Sequence, residues 1–504
     1  MQRKQLTLVI VSLLVVVLSV SLAWFTTQII GKGKDVSVTS TNLQIVFTDT
    51  DGEIAVADIE PGWSATKTFT IKNDTKTEYK YNIVIKDLLN TFVTNGYLQY
   101  KITSTNNGYN MTEFKDIPKS SAPKDTILAY SVVIPNGVTQ SYTIEFKYAN
   151  DESVDQSDDM GKKLSGTLFI TEGTEQPTLL SQILNDNPTR STRDTYDTVF
   201  TTDTTGTLFT ATEKNVHNIT DTTVYYYAGN TTNNWVKFAG YYWRIIRTNA
   251  DGSVRLLYSG TEAEGTTGTN GMINTSTAFN SSYNSPKYAG YMYGENDDTL
   301  ANARTNTKNS TTKDKIDTWY AQNMTSYTKY LSTTAVYCND RTEQTSGTYN
   351  TGSTEFYYAP NARASSYAPT YDCTEASDAF SGSNTSAKLT YPIALMTVDE
   401  IMRAGGKAGT SLTSPYAWYY LNSANGSITG STWWWLLSPN LWRGSGAFVF
   451  IVLGSSNPGY LSSYYVSSTR GVRPAISLKS CVKTNGGDGS ANAPYTIEES
   501  TSGC

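Results

Sequence analysis

The first pattern along the chain is an unbroken apolar run. Leu6 to Phe25 carries no charge and is built almost wholly of Leu, Val, Ile, Ser and Ala. As a helix rising about 1.5 Å per residue, it matches a bilayer core of roughly 30 Å. This predicts a signal-anchor over residues 1–34, spanning the membrane as one helix. Trp24 and Phe25 close the run with rings that favour the interface. Gln2, Arg3 and Lys4 precede it and Lys32 and Lys34 follow, so the flanking charge does not orient it. A cleaved signal peptide is the alternative, with a shorter apolar core of about 7–15 residues and a small-residue site. Ser21-Leu22-Ala23, beside bulky Trp24, is the one candidate for that site. The length favours the uncleaved anchor, and either reading exports the rest.

Beyond the anchor the apolar period drops to two. Residues 43–47, 66–71, 81–85, 142–146 and 166–170 alternate as half-buried strands do. Turn formers separate them, including Asp51-Gly52, Pro61-Gly62, Asn95-Gly96 and Pro135-Asn136-Gly137. This predicts an all-β, immunoglobulin-like sandwich over 35–173, acting as a stalk. Glu60-Pro61-Gly62, the strand after it and Asn73 resemble the surface β-sandwiches of Gram-positive bacteria. Residues 151–163 are polar and acidic, and Glu172 to Pro177 reads as a linker.

From 178 to 504 strand and helix patterns mix, which predicts an α+β unit. Residues 235–247 and 254–258 read as strands of a meander around Asp251-Gly252. Ile316, Trp319, Tyr320 and Met324 recur at helical spacing within 313–330. Thr397 and Glu400 form a capping-box pattern for a helix that Gly405-Gly406 should end. Residues 260–312 are poor in apolar residues and read as a long surface excursion.

Composition sharpens the picture. The 504 residues include 36 tyrosines, 10 tryptophans and one histidine, with 17% charged residues and a net charge of −6. Tyr, Trp, Thr and Val suit pleated surfaces, and without a basic stripe nucleic acid is excluded as a partner. The four cysteines of an exported chain favour disulfides, most simply Cys338–Cys373 and Cys481–Cys504. Their spacing is not that of a metal site, so neither a metal nor a cofactor is expected.

Residues 433–478 are the most distinctive stretch. Trp433-Trp434-Trp435-Leu436-Leu437-Ser438-Pro439 opens it, and Gly471-Val472-Arg473-Pro474-Ala475-Ile476-Ser477-Leu478 closes it. Between these strand-like ends, small polar residues alternate with bulky ones, a mixture suited to a contact surface. With Asn234-Trp235-Val236, Tyr242 to Arg247, Ile316 to Tyr320, Cys338 to Arg341 and Leu389 to Ile393, the layout resembles a known family. It is that of C-type-lectin-like, formylglycine-generating-enzyme-like variable proteins diversified by retroelements. The matching pieces span roughly 180–500 in order.

The resemblance implies a rigid scaffold presenting an interchangeable surface over about 440–470. The residues it marks as ligand-binding are Asn440, Leu441, Trp442, Arg443, Ser445, Phe450, Ile451, Leu453, Ser455, Ser456, Asn457, Tyr460, Ser462, Ser463, Tyr464, Tyr465, Ser467, Ser468 and Arg470. In such systems template adenines are miscopied, and most of these residue types can arise from asparagine AAY codons. Trp442 cannot. The expected function is therefore receptor- or adhesin-type display at a bacterial cell membrane, single-pass, with the C-terminal part outside. The ligand would be a protein or glycan at the cell surface. A structural surface or matrix protein without a specific ligand is the alternative reading.

Enzymatic chemistry has little to stand on. The resembled fold includes an oxidase that needs reactive cysteines, whereas Cys481 and Cys504 flank a glycine-rich turn and read as a disulfide loop. Nucleophilic catalysis would rest on His217 alone. Asp399-Glu400 sits where a helix start attracts acids, and Asp488 with Asn485 matches no defined calcium loop.

Overall fold

A computed structural model describes residues 60–263, 270–344, 347–420, 432–500 and 503–504, with the backbone of strands at 35–40, 43–49, 54–56, 422–423 and 426–427. The class expected from the sequence does not describe the chain. Over the described residues it is mostly β-sheet, with 13% helix, and this overturns the α+β reading of 178–504. The expected membrane helix lies outside the described residues. Among the described residues, no helix is long and apolar enough to cross a membrane. The helical signals beyond the anchor are real but short, reaching 13 residues at Thr311–Asn323 and seven at Val398–Ala404. A chain so rich in Tyr, Trp, Thr and Val puts most of its apolar surface on pleated strands instead.

The chain divides into two compact units, Met1–Gln176 and Pro177–Cys504. In the first, Ser64–Asn73, Thr139–Tyr148 and Leu98–Ser104 are neighbours in a six-stranded sheet. Tyr79–Asn90 pairs with Leu164–Glu172 and Ser120–Ile134 in a four-stranded one. The inward residues of both sheets share one core, including Phe69, Ile144 and Ile102 from the first and Ile83, Leu168 and Ile134 from the second. Asp159, from the acidic stretch, is buried and structural. It accepts from the Val93 and Thr94 amides at 2.6 and 3.1 Å and from the Tyr148 hydroxyl at 2.8 Å.

The second unit is built on two larger sheets. One, of nine strands, contains Thr207–Asn215, Asn218–Tyr226, Tyr241–Thr248, Val254–Tyr258, Pro474–Leu478 and Ile393–Leu395 in that spatial order. The other, of six, runs Asn274–Ala278, Thr469–Val472, Trp434–Trp442, Ala447–Val452, Leu461–Tyr465, with Phe356–Tyr357 beside Trp434–Trp442. Every residue of Val254–Tyr258, Trp434–Trp442, Ala447–Val452 and Pro474–Leu478 is buried. Covered on both faces, such strands lose alternation and read as continuous apolar runs. The 260–312 segment is no surface excursion either, since Phe279, Ala289 and Tyr291 are buried in the main core. Its polar residues mask a few deep anchors. Both expected cysteine pairs, Cys338–Cys373 and Cys481–Cys504, are disulfides.

Thr397 and Glu400 do form the capping box of Val398–Ala404: the Thr397 hydroxyl accepts from the Glu400 amide at 3.1 Å, and the Glu400 carboxylate from the Thr397 amide at 3.0 Å. The same carboxylate also receives Arg247 Nε at 3.0 Å and Arg255 Nη1 at 2.7 Å. Arg247 reaches Glu213 at 2.6 Å as well. Burial pulls the Glu400 carboxyl up, but Arg255 and Arg247 outweigh it and hold the acid below its ordinary range. Replacing Glu400 by Gln leaves Arg247 with Glu213 alone and takes from Arg255 the carboxylate it pairs with. Glu400→Gln should therefore cost about 3–5 kcal/mol of unfolding free energy. Lys308→Ala, which breaks an exposed pair with Glu295, should leave the unfolding midpoint almost unchanged. Denaturant titration of both variants measures the contrast.

Burial also pushes the phenols of Tyr320 and Tyr337 up to about 12, in the second case against the pull of Arg255. Their folded values lie above the unfolded value of about 10, so their contribution to stability is complete below pH 10 and fades as pH climbs towards 12. Ultraviolet titration of the tyrosinates should show an exposed class ionising near 10 and a buried class ionising only with alkaline unfolding. A single class near 10 would refute this.

Candidate binding surface

The hairpin of Trp434–Trp442 and Ala447–Val452 turns through residues 443–446, where the Arg443 amide donates to the Gly446 carbonyl at 3.0 Å. Ala447–Val452 then pairs with Leu461–Tyr465, placing Phe448 opposite Tyr465 and Val449 opposite Tyr464. Leu461–Tyr465 is the edge strand. Val449 is buried, whereas Tyr464, on the same face but at the sheet edge, is 38% exposed. Tyr283 joins from the 260–312 segment, anchored where its carbonyl accepts from the Ala447 amide at 2.9 Å, and it is 46% exposed. These are two of the three large apolar side chains exposed among the described residues of this unit; Ile219 is the third. Their neighbourhood is therefore the place to look for a ligand surface.

Side chains here form a connected row. The Arg443 guanidinium lies 4.8 Å over the Phe448 ring, and Phe448 lies 4.1 Å from Tyr465. Tyr465 meets Tyr283 at 6.3 Å and Tyr464 at 6.4 Å, both edge to face. Tyr464 and Trp433 lie 5.7 Å apart, and the Arg470 guanidinium covers both rings, at 4.2 and 4.6 Å. Two cations thus bracket an aromatic row. Gly446 seats it: a Cβ there would fall 2.4 Å from the Tyr465 ring. Arg443 also pairs with Glu355 at 3.7 Å.

Of the residues the sequence marked, Arg443, Tyr464, Tyr465 and Arg470 meet in this row. Ser462 and Ser463 lie on the same edge strand, partly exposed. Ser445 is exposed in the hairpin turn, Ser455, Ser456 and Asn457 are exposed in the next turn, and Tyr460, Ser467 and Ser468 are partly exposed. Asn440, Leu441, Trp442, Phe450, Ile451 and Leu453 are a correction. All six are buried, and side chains in the interior present no contact area to a ligand. Phe356–Tyr357 pairs over Leu441 and Trp442, and the Trp442 indole donates to the Gly352 carbonyl at 2.8 Å. Phe450, Ile451 and Leu453 lie between flanking strands in the main core.

Sequence reasoning missed Tyr283 and Trp433, and Phe448 lies buried beneath the row, 5% exposed. Tyr283 was hidden in a polar stretch, Asn280-Ser281-Ser282-Tyr283-Asn284, far from its partners in sequence. Trp433 was grouped with the buried tryptophans beside it.

The other candidates are less open. His217 is exposed, and its Nε2 lies 2.9 Å from the Ser381 hydroxyl and 3.2 Å from that of Ser383. Ser381, the closer serine, is fully buried and accepts from the Asn384 amide at 3.0 Å. Asp399 is held by Arg363 through two bonds of 2.7 and 3.0 Å. Among the described residues no group of three His, Cys, Asp or Glu is arranged to hold a metal. In the first unit, an open groove is lined by Phe69 and Tyr142 with threonines and serines of Thr68–Thr70, Thr103–Thr105 and Ser141–Thr143, and by no charged residue. No protein-family model matches the chain, and no curated protein matches its sequence.

The buried and exposed halves of the segment should respond differently to truncation. Trp442→Ala should lose roughly 3–5 kcal/mol, the cost of emptying a packed aromatic site. Tyr464→Ala should stay within about 1 kcal/mol of the parent. Equal losses in thermal or denaturant unfolding would contradict this assignment.

Proposed function

We propose that this chain is a ligand-binding display protein of receptor or adhesin type, held at a bacterial cell surface by its N-terminal apolar segment. One observation carries the reading: exposed aromatic rings and guanidiniums gather on one rigid sheet, in the segment whose sequence is mixed like a contact surface. Tyr and Trp supply contact area at low entropy cost, and the flanking serines adapt. Two disulfides suit a chain that works outside the cytoplasm. Binding, not catalysis, is the activity proposed.

The resemblance to retroelement-diversified proteins belongs to the same proposal, in sharper form. Diversification would be confined to exposed codons such as those of Arg443, Ser455, Ser456, Ser462, Tyr464, Ser467 and Arg470, sparing Leu441, Trp442, Ile451 and Leu453. A near-identical repeat in the neighbouring DNA, differing at adenines and lying beside a reverse transcriptase, is expected to show that distribution. For binding itself, the full chain in detergent is applied to protein and glycan arrays. Hits should disappear with Tyr464→Ala and Tyr283→Ala but persist with Ile219→Ala. Hits indifferent to all three, or none, would favour the structural-protein reading.

A further inference from the structure

If this surface binds a ligand, as proposed above and as the inference requires, its side chains also carry information about what that ligand is. The ring planes in the row are steeply inclined: 72° for Trp433 with Tyr464, 85° for Tyr464 with Tyr465 and 83° for Tyr283 with Tyr465. Sugar rings stack on open aromatic faces. Here one face of Trp433 and one of Tyr464 are taken by Arg470, and one face of Phe448 by Arg443. Beside the rings the row carries the phenol hydroxyls of Tyr283, Tyr464 and Tyr465 and the guanidiniums of Arg443 and Arg470, all donors to acceptors.

Arg247, Arg255, Arg304, Arg341, Arg363 and Arg443 each pair with a carboxylate. Arg193, Arg403 and Arg473 donate instead to backbone or phenol oxygens of distant segments. Among the described residues Arg470 has no such distant acceptor. It is clamped between two rings, and its Nη1 donates to the neighbouring Thr469 carbonyl at 2.6 Å. Its Nε is covered and has no acceptor, and no acid among the described residues pairs with it. Burial lowers its pKa, a sign that the cation is short of solvation where it stands. Stacked guanidiniums are planar, pre-oriented forks for carboxylates.

We infer that Arg470 is the point at which this surface receives a carboxylate, and that the ligand is an acidic segment of another protein. Corrugated, edge-to-face rings accept protein side chains between them, with Arg443 as the second cation at the other end of the row. The chain as a whole is acidic, with a net charge of −6. Long-range attraction therefore adds little, and recognition depends on contact at the two arginines.

The test uses the full chain in detergent and immobilised synthetic peptides of alternating Glu and Ser, Lys and Ser, or Gly and Ser, with an oligogalacturonate as the anionic glycan probe. The Glu–Ser peptide should bind best and weaken with salt. Arg470→Gln should weaken it by about tenfold or more, and Arg470→Lys by less, because the charge stays while the fork is lost. Unchanged unfolding midpoints show that the variants fold. The inference is overturned by equal binding of the three peptides, by no binding of the Glu–Ser peptide, by indifference to Arg470→Gln, or by preference for the oligogalacturonate. If array hits are lost with Tyr464→Ala but kept with Arg470→Gln, the surface stands and its acidic ligand does not. If neither variant alters them, the binding surface itself is wrong.

Discussion

The second unit depends on one buried carboxylate. Glu400 caps its own helix and, with the same side chain, holds Arg247 and Arg255 from adjacent strands of the nine-stranded sheet. Glu213 on a third strand completes the set, so two cations and two anions balance in the interior. Tyr371 and Tyr337 lie 4.3 Å from the two guanidiniums. Buried charges are costly unless fully paired, and removing any one strands its partners. Helix and sheet are therefore locked in one register by an interaction that tolerates no half-measures.

A second buried cation sets the corner between the sheets. Thr469–Val472 belongs to the six-stranded sheet and Pro474–Leu478 to the nine-stranded one, so Arg473 stands where the chain changes sheet. It has backbone partners where the others have acids: its nitrogens donate to the carbonyls of Gly271, Tyr419 and Tyr258 at 3.1, 2.9 and 3.2 Å. Burial pushes its pKa down to about 9, which still leaves it charged at neutral pH. Three carbonyls from distant segments converge on it, so the corner holds the strands beneath the aromatic row rigidly. Side chains on such a scaffold vary without disturbing the fold, provided that the variation stays outward.

That proviso is where sequence reading and structure part. Local signals were legible: the Thr397–Glu400 capping box, the meander at 235–258 and the alternating strands of the first unit each rest on neighbours in sequence, and the two cysteine pairs follow from an even count in short loops. The nature of Glu400 was not. An acid at a helix start is expected for local reasons, and nothing nearby in sequence announces that Arg247 and Arg255, some 150 positions earlier, will meet it. The α+β expectation failed because helical spacing was present but brief, while the strands carrying most of the core were buried on both sides and lacked alternation.

The candidate surface shows the same division. Residue types alone determined that 440–470 mixes aromatic, arginine and small polar side chains, a chemistry suited to contact. Which of them face outward was decided by tertiary packing. Phe356–Tyr357 closes over Trp442, flanking strands bury Ile451, and Tyr283 arrives from a segment more than 150 residues away to stand beside Tyr465. Composition is a property of the segment, whereas exposure belongs to everything packed around it.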